Sequence, residues 1–397
     1  MNQRINLLRA SSCLTKTVFF SIGYIMWLSS YLITRLQQFS NVSDIVIKPL
    51  KFGGLIIAFF IILMDLKIKL EVRRFLLGVL TLAFIALNNG YVAGVTIWIG
   101  VAIFIFAAKN INFRLFLKIV LVFLCVFYGS SVLLAKFGFI LNSVSYRDVF
   151  VRDNLGFVWA TWPVHAFLYI VAFYAILRGK KINIAEILVL GMINLGLYYY
   201  TNTRSPFILI TIFLIFVYLN KYVHFNIVHN RVFRGIFLLL TPVLTLVIYW
   251  FSKNYPKYYQ FDKLFSGRIS YGYESLELFG IHKIGKKIFF NTSTNVIGQK
   301  YFYVDSAFLQ YLLRFGLISL IIFLVYTIMF QYRVLKTENT ILCVAVFMVI
   351  VNGLLDPELI EPFYNVFLIM YAALFNSKGL NDLVPGEDIN EEYLSQS

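Results

Sequence analysis

Apolar residues recur along this chain in runs of roughly 17–25, the length that crosses a bilayer as a helix. We read about twelve spans, near 17–36, 49–66, 74–89, 91–108, 115–135, 159–177, 183–200, 205–220, 235–251, 305–330, 340–355 and 360–377. The third, fourth and eighth have soft ends. The pattern predicts an all-α polytopic membrane protein with a single transmembrane domain, residues 1–377. It leaves one long connection, about 252–304, and a polar, acidic tail, 378–397, read as disordered. In the long connection Ile269, Tyr273, Leu276 and Phe279 fall at helical spacing, which predicts a short amphipathic helix on the membrane surface.

Composition agrees: 60% of the 397 residues are hydrophobic and 14% are charged, too few charges for a soluble chain of this length. The formal net charge of +16 is not read as a nucleic-acid footprint. Its lysines and arginines gather in short loops, such as Arg178, Lys180 and Lys181, and this bias places both termini in the cytoplasm. Two outer segments, 136–158 and 252–304, are basic as well. Long loops translocate largely regardless of charge, and a basic outer surface suits a phosphate or pyrophosphate headgroup; the plainer reading is a solvated loop. Cys13, Cys125 and Cys343 are scattered and give no disulfide framework. No clustered metal-ligand pattern and no glycine-rich nucleotide loop stands out, so neither metal nor cofactor is expected.

Arginine is the residue to follow, because its fork grips phosphate bidentately and stays charged. Arg147 and Arg152 lie in SYRDVFVRDNLGF, where pairing with Asp148 and Asp153 is the structural alternative. Arg204 lies in the tight connection YYYTNTRSPF, and Arg268, after Gly267, starts the amphipathic helix. Asp305 opens a span, as a helix N-cap or as a group that orients a hydroxyl. Arg314 is expected about 13 Å deeper, near mid-bilayer, facing away from Asp305 and toward Gln310. His282 is the outer histidine and a second candidate base; His165 is placed within a span. Glu361, with Asp356 and Glu358 nearby, opens the last span. Glu186 and Arg314 stand out as intramembrane charges.

Several of these stretches resemble the Wzy-type repeat-unit polymerases of bacterial O-antigen and capsular polysaccharide, within the wider polymerase–ligase group. YYYTNTRSPFILI looks like that family's Thr-x-(Ser/Thr)-Arg turn, and LFSGRISYGYESLELFG like its large-loop Gly-Arg segment. YVDSAFLQYLLRFGLISL is similar to its Asp-Asn-Ser-Tyr helix start, ELIEPFYNVFLIM to its late Glu…Asn span, and RDVFVRDNLGF to the segment before its sixth span. Here Val158-Trp159-Ala160 replaces a frequent His-Pro-Asn.

The resemblance implies a GT-C-like membrane fold in the bacterial plasma membrane. It implies transfer between polyprenyl-diphosphate-linked oligosaccharides at the outer leaflet, with polyprenyl diphosphate leaving with inversion and no metal needed. A chain-length regulator and a flippase are the protein partners it suggests. Arg268 and Arg204, helped by Arg147 or Arg152, are then expected on the diphosphate. Asp305 is expected on the acceptor hydroxyl, with His282 second. Tyr271, Tyr273, Tyr301 and Glu361 are expected against sugar, the tyrosines otherwise anchoring the loop. A glycan ligase of the same group, or a flippase for lipid-linked sugar, is the alternative.

Overall fold

The computed structural model describes residues 2–65, 72–147, 150–223, 227–262, 267–291, 302–376 and 379–384. Its helices are α1 (Asn2–Leu32), α2 (Asp44–Asp65), α3 (Val72–Ile85, continued by a π-helical segment Ala86–Val92), α4 (Ile97–Ala107) and α5 (Phe113–Lys136). After a hairpin come α6 (Trp162–Arg178), α7 (Ile184–Thr201), α8 (Arg204–Val223) and α9 (Arg231–Lys253). Then follow α10 (Tyr255–Asp262), α11 (Arg268–Phe279), α12 (Ala307–Lys336), α13 (Thr340–Leu355) and a 3₁₀ helix, Val366–Phe375. Among the described residues eight helices are long and apolar enough to cross a membrane. Four shorter apolar helices, Gly78–Val92, Ile97–Asn110, Thr340–Leu355 and Val366–Phe375, coincide with the remaining predicted spans. The chain is a helical membrane protein.

Asparagine sets many of the helix starts. Asn112, Asn230 and Asn339 each accept a hydrogen bond from a first-turn amide. Asn183 and Glu186 form a reciprocal capping box at the start of α7. That corrects the reading of Glu186 as an intramembrane charge: it holds a helix start and pairs with Arg178 at 2.5 Å. The middle of the bundle is α6, buried from Pro163 to Phe173. The peripheral α7 and α8 instead expose Leu188, Met192, Ile212 and Ile215, as lipid-facing helices must.

Three features depart from the sequence expectation. Strands β1 (Val144–Arg147) and β2 (Phe150–Asp153) form an antiparallel hairpin, register Val144 to Asp153, in the otherwise helical fold. The stretch 379–384 is packed rather than disordered: Asp382 accepts from the Phe113 and Arg114 amides at the start of α5, and Asn339 donates to the Leu383 carbonyl at 2.8 Å. The remainder of the acidic tail, 385–397, lies outside the described residues.

The third departure matters most. Helix α12 is broken at Gly316 (φ 81°, ψ 171°), and the long connection fills the break. Leu317 and Ile318 donate to the carbonyls of His282 and Lys283 at 2.8 and 3.1 Å, while Lys286 donates to Arg314 at 3.0 Å. Asn88, in the π segment, clamps both sides. It donates to Phe315 O at 2.7 Å, and its Oδ1 accepts from the Gly285 amide at 2.7 Å. Backbone freed by a break in a membrane helix must find such partners. The roughly 20 residues beyond Gly316 reach about 30 Å, a full crossing by themselves. Arg314 sits beside the break, ahead of a segment that is itself long enough to cross.

Candidate functional site

One end of the bundle gathers the connections after α1, α5, α7, α9 and α13. The site there is assembled around Arg268. Gly267 turns the chain into α11 with φ of 82°, a conformation open to glycine. Asp262 then caps α11, its Oδ1 accepting from the Ile269 and Ser270 amides at 3.0 and 3.1 Å. The face buried on α9 and α12 is Ile269, Gly272 and Ser275, rotated away from the expected Tyr273. Gly272 is needed there, because a Cβ would meet Ser252 Oγ at 2.3 Å.

So fixed, Arg268 donates through Nε to the Leu355 carbonyl at 2.6 Å and through Nη2 to Asp356 Oδ1 at 3.0 Å. Its Nε lies 3.5 Å from Asp305 Oδ2. The other Asp356 oxygen accepts from Ser205 Oγ at 2.5 Å. His165, from α6, brings Nε2 to 3.3 Å from Glu358 Oε1 and 3.9 Å from Asp356 Oδ1. Asp305 is the accessible carboxylate, its side chain 28% exposed against 8% for Asp356.

Burial pushes Asp356 up, but His165, Arg268 and the hydrogen bond from Ser205 outweigh it and hold the carboxyl below its usual range. Glu358 is driven the other way. Burial, then repulsion from Asp356, Glu361 and Asp305, raise it well above the usual carboxylate value. Neighbouring carboxyls in unlike surroundings are thus pushed in opposite directions. Glu361 is raised by burial and drawn back by the charges of Arg35 and Arg314. Arg35 stacks on Trp162 and Phe363, with its guanidinium carbon 4.6 and 4.4 Å from the ring centres. Arg314 donates to Gln310 Oε1 at 3.2 Å, as its i,i+4 spacing predicted. Among the described residues, the Nε atoms of Arg35 and Arg314 have no hydrogen-bond partner.

The expected residues divide. Arg268, Asp305 and Glu361 lie in this cluster. Ser306, not Asp305, is the N-cap residue of α12. Arg152 binds the Thr201 carbonyl and Thr203 Oγ1, bracing the turn before α8. Asp153 pairs with Lys136 at 2.5 Å rather than with an adjacent arginine. Arg204 is exposed at the first position of α8, and its neighbour Ser205 is what reaches Asp356. Arg147 lies in β1, and Tyr301 and Asp148 fall outside the described residues. His282 is built into the helix break, its carbonyl on Leu317 and its Nε2 2.7 Å from Phe279 O. Tyr271 and Tyr273 contact the rings of Phe302 and Tyr255, which fits the anchoring alternative.

Sequence reasoning passed over Arg35, Ser205 and the pairing of His165 with Glu358. A usable signal existed for Arg35, a lone arginine closing the first span on the side the charge bias leaves poor in arginine. Nothing local marks His165, whose partner is 193 positions away. His165, Asp356 and Glu358 offer donor atoms within 4.8 Å of one another, a set that could hold a cation. Arg268 and Ser205 already occupy the two Asp356 oxygens. Comparison with protein-family models, curated proteins and solved structures finds no match.

Proposed function

We propose that the chain polymerises polyprenyl-diphosphate-linked oligosaccharide repeat units at the extracytoplasmic face of the bacterial plasma membrane. One observation carries the reading. The five stretches singled out for their resemblance to repeat-unit polymerases lie far apart in sequence, yet they meet in a continuous set of contacts. Arg152 braces the 201–204 turn, Ser205 just after that turn holds Asp356, and Arg268 joins Asp356 to Asp305. Asp356 leads into the segment that carries Glu361.

The chemistry follows from the charges. An acceptor hydroxyl attacks the anomeric carbon of the donor, and the bond from that carbon to the diphosphate oxygen breaks. The diphosphate leaves with the bonding electrons, and the hydroxyl proton passes to a carboxylate. Asp305 fits that carboxylate, lying 3.5 Å from the Arg268 guanidinium and more exposed than Asp356 and Glu358. Arg268 is shared among three acceptors and chiefly positions Asp305 and Asp356. The guanidiniums of Arg35 and Arg314 are the better complements for the leaving diphosphate. Purified protein given lipid-linked repeat units should yield a polymer ladder, with or without EDTA. Movement of the lipid across the bilayer without new glycosidic bonds would favour a flippase. Transfer to a different acceptor would favour a ligase.

A further inference from the structure

The segment that fills the α12 break has a second face. Lys283, Lys286 and Lys287 are exposed, and among the described residues no carboxylate pairs with them. Between and beside them Ile281, Ile284 and Phe289 are 45, 52 and 86% exposed. Cationic and apolar side chains are interspersed on a stretch whose backbone is pinned to helix α12 at His282, Lys283 and Lys286. The stem of Lys287 is packed over Gly94 at the end of the π segment. On the inner side of the same stretch lies Arg314, bound to it through the Lys286 amide. Its guanidinium lies 5.8 Å from the Phe290 ring.

We propose that this basic ledge, Lys283, Lys286 and Lys287 backed by Arg314, takes the diphosphate of a polyprenyl lipid from the bilayer and hands it on to the site containing Glu361. The inference rests on the proposed function for what happens next, but the binding step stands separately. A diphosphate matches three exposed lysines within five positions, and a prenyl chain matches the exposed isoleucines and phenylalanine. A soluble anion would leave those apolar groups in water. The break explains the location: helix α12 alone would present lipid-facing apolar residues here, and only the inserted segment brings lysines to that surface.

The test uses full-length protein in detergent, with sugar-free undecaprenyl diphosphate as probe and phosphatidylglycerol as competitor, read by native mass spectrometry. K283A/K286A/K287A should weaken binding on the order of tenfold or more at low salt, since each lysine near a membrane surface contributes measurably to holding an anionic headgroup. The triple arginine variant should restore it. Unchanged binding in the alanine variant overturns the ledge. Equal displacement by phosphatidylglycerol also overturns it, as an unselective surface for acidic lipid. The polymer assay separates the two ideas. A chain that polymerises, with an alanine variant of unchanged KM for the lipid-linked donor, retains the function and loses the ledge. A chain that makes no polymer but binds the diphosphate through the lysines retains the ledge and loses the function.

Discussion

At Gly316 the backbone lies in a region that glycine alone populates readily, and a Cβ there would stand 2.6 Å from both the carbonyl carbon and the oxygen of Ile284. Gly316→Ala therefore meets two penalties. The conformation itself costs about 1–3 kcal/mol for a residue with a side chain. The clash is with backbone, so no rotamer relieves it, and the 282–286 segment must leave. Leaving breaks the bonds from Leu317, Ile318 and Lys286, each worth about 1 kcal/mol. Those bonds hold the parent docked as well, so the shift comes from strain and clash: the strain alone moves the undocking equilibrium roughly five- to a hundredfold, and the clash adds to it.

Gly280→Ala is the control. Its φ is 65° and ψ −178°, but nothing lies within 4 Å of the added carbon. It bears the strain without the clash, so Lys286 exchange should change less in Gly280→Ala than in Gly316→Ala. The assay is hydrogen exchange read by mass spectrometry, with the Lys286 amide as reporter. Leu317 and Ile318 serve less well, because a healed α12 would protect them afresh. Lys286 exchange in Gly316→Ala equal to that in the parent would refute the argument that the segment is held by the break.

Further outcomes follow from the site. Arg268→Ala strands Asp356 as a buried charge, so a thermal melt should show a loss of about 3–5 kcal/mol, and long-chain glycan should vanish while single lipid-linked repeats accumulate; normal chain length would remove Arg268 from the site. Asp305→Asn should lower kcat by about 10²–10⁴-fold while leaving undecaprenyl diphosphate binding intact, and a kcat within a few-fold of the parent would transfer the proton-accepting role elsewhere. For Glu358 the folded-state pKa is raised from 4.5. Its stabilising contribution is thus complete below the ordinary value and fades as pH rises through the raised one. Glu358→Gln should flatten the fall of Tm toward alkaline pH; identical pH dependence in both proteins would mean that Glu358 is ionised throughout.

The hydrophobic periodicity was enough to place the helices, because burial in lipid and burial in protein both demand apolar runs. It could not reveal the break in α12. Gly316 is surrounded by apolar residues, and what breaks the helix is a partner segment some thirty positions earlier. The i,i+4 contact of Arg314 with Gln310 was legible because it is local. Arg268 and Asp305 were legible as charges out of place, but their meeting through Asp356 depends on tertiary contacts. Arg204 drew attention as the stronger cation, whereas the fold uses the hydroxyl beside it. Reading charge alone favours arginine over serine, and only the direction of the first turn of α8 decides between them. His165 stayed hidden because a lone histidine in an apolar helix looks the same whether or not a carboxylate faces it.

The long 3₁₀ helix, Val366–Phe375, is buried through nine of its ten residues and packs on α3, α4 and α12. Ten residues in this form reach about 20 Å, and runs this long are uncommon in isolation. The segment is thus sustained by its neighbours and has little lipid-facing surface of its own. Its consequence is for assembly order. Two of the helices lining its slot, α3 and α4, are made much earlier, and they stay incompletely packed until this segment arrives. Completion of the site, whose Glu361 lies five residues before this helix, is thereby coupled to the docking of the helix. An early helix can cross the membrane on hydrophobicity alone, but the bundle becomes a single packed body only when the late segment closes it.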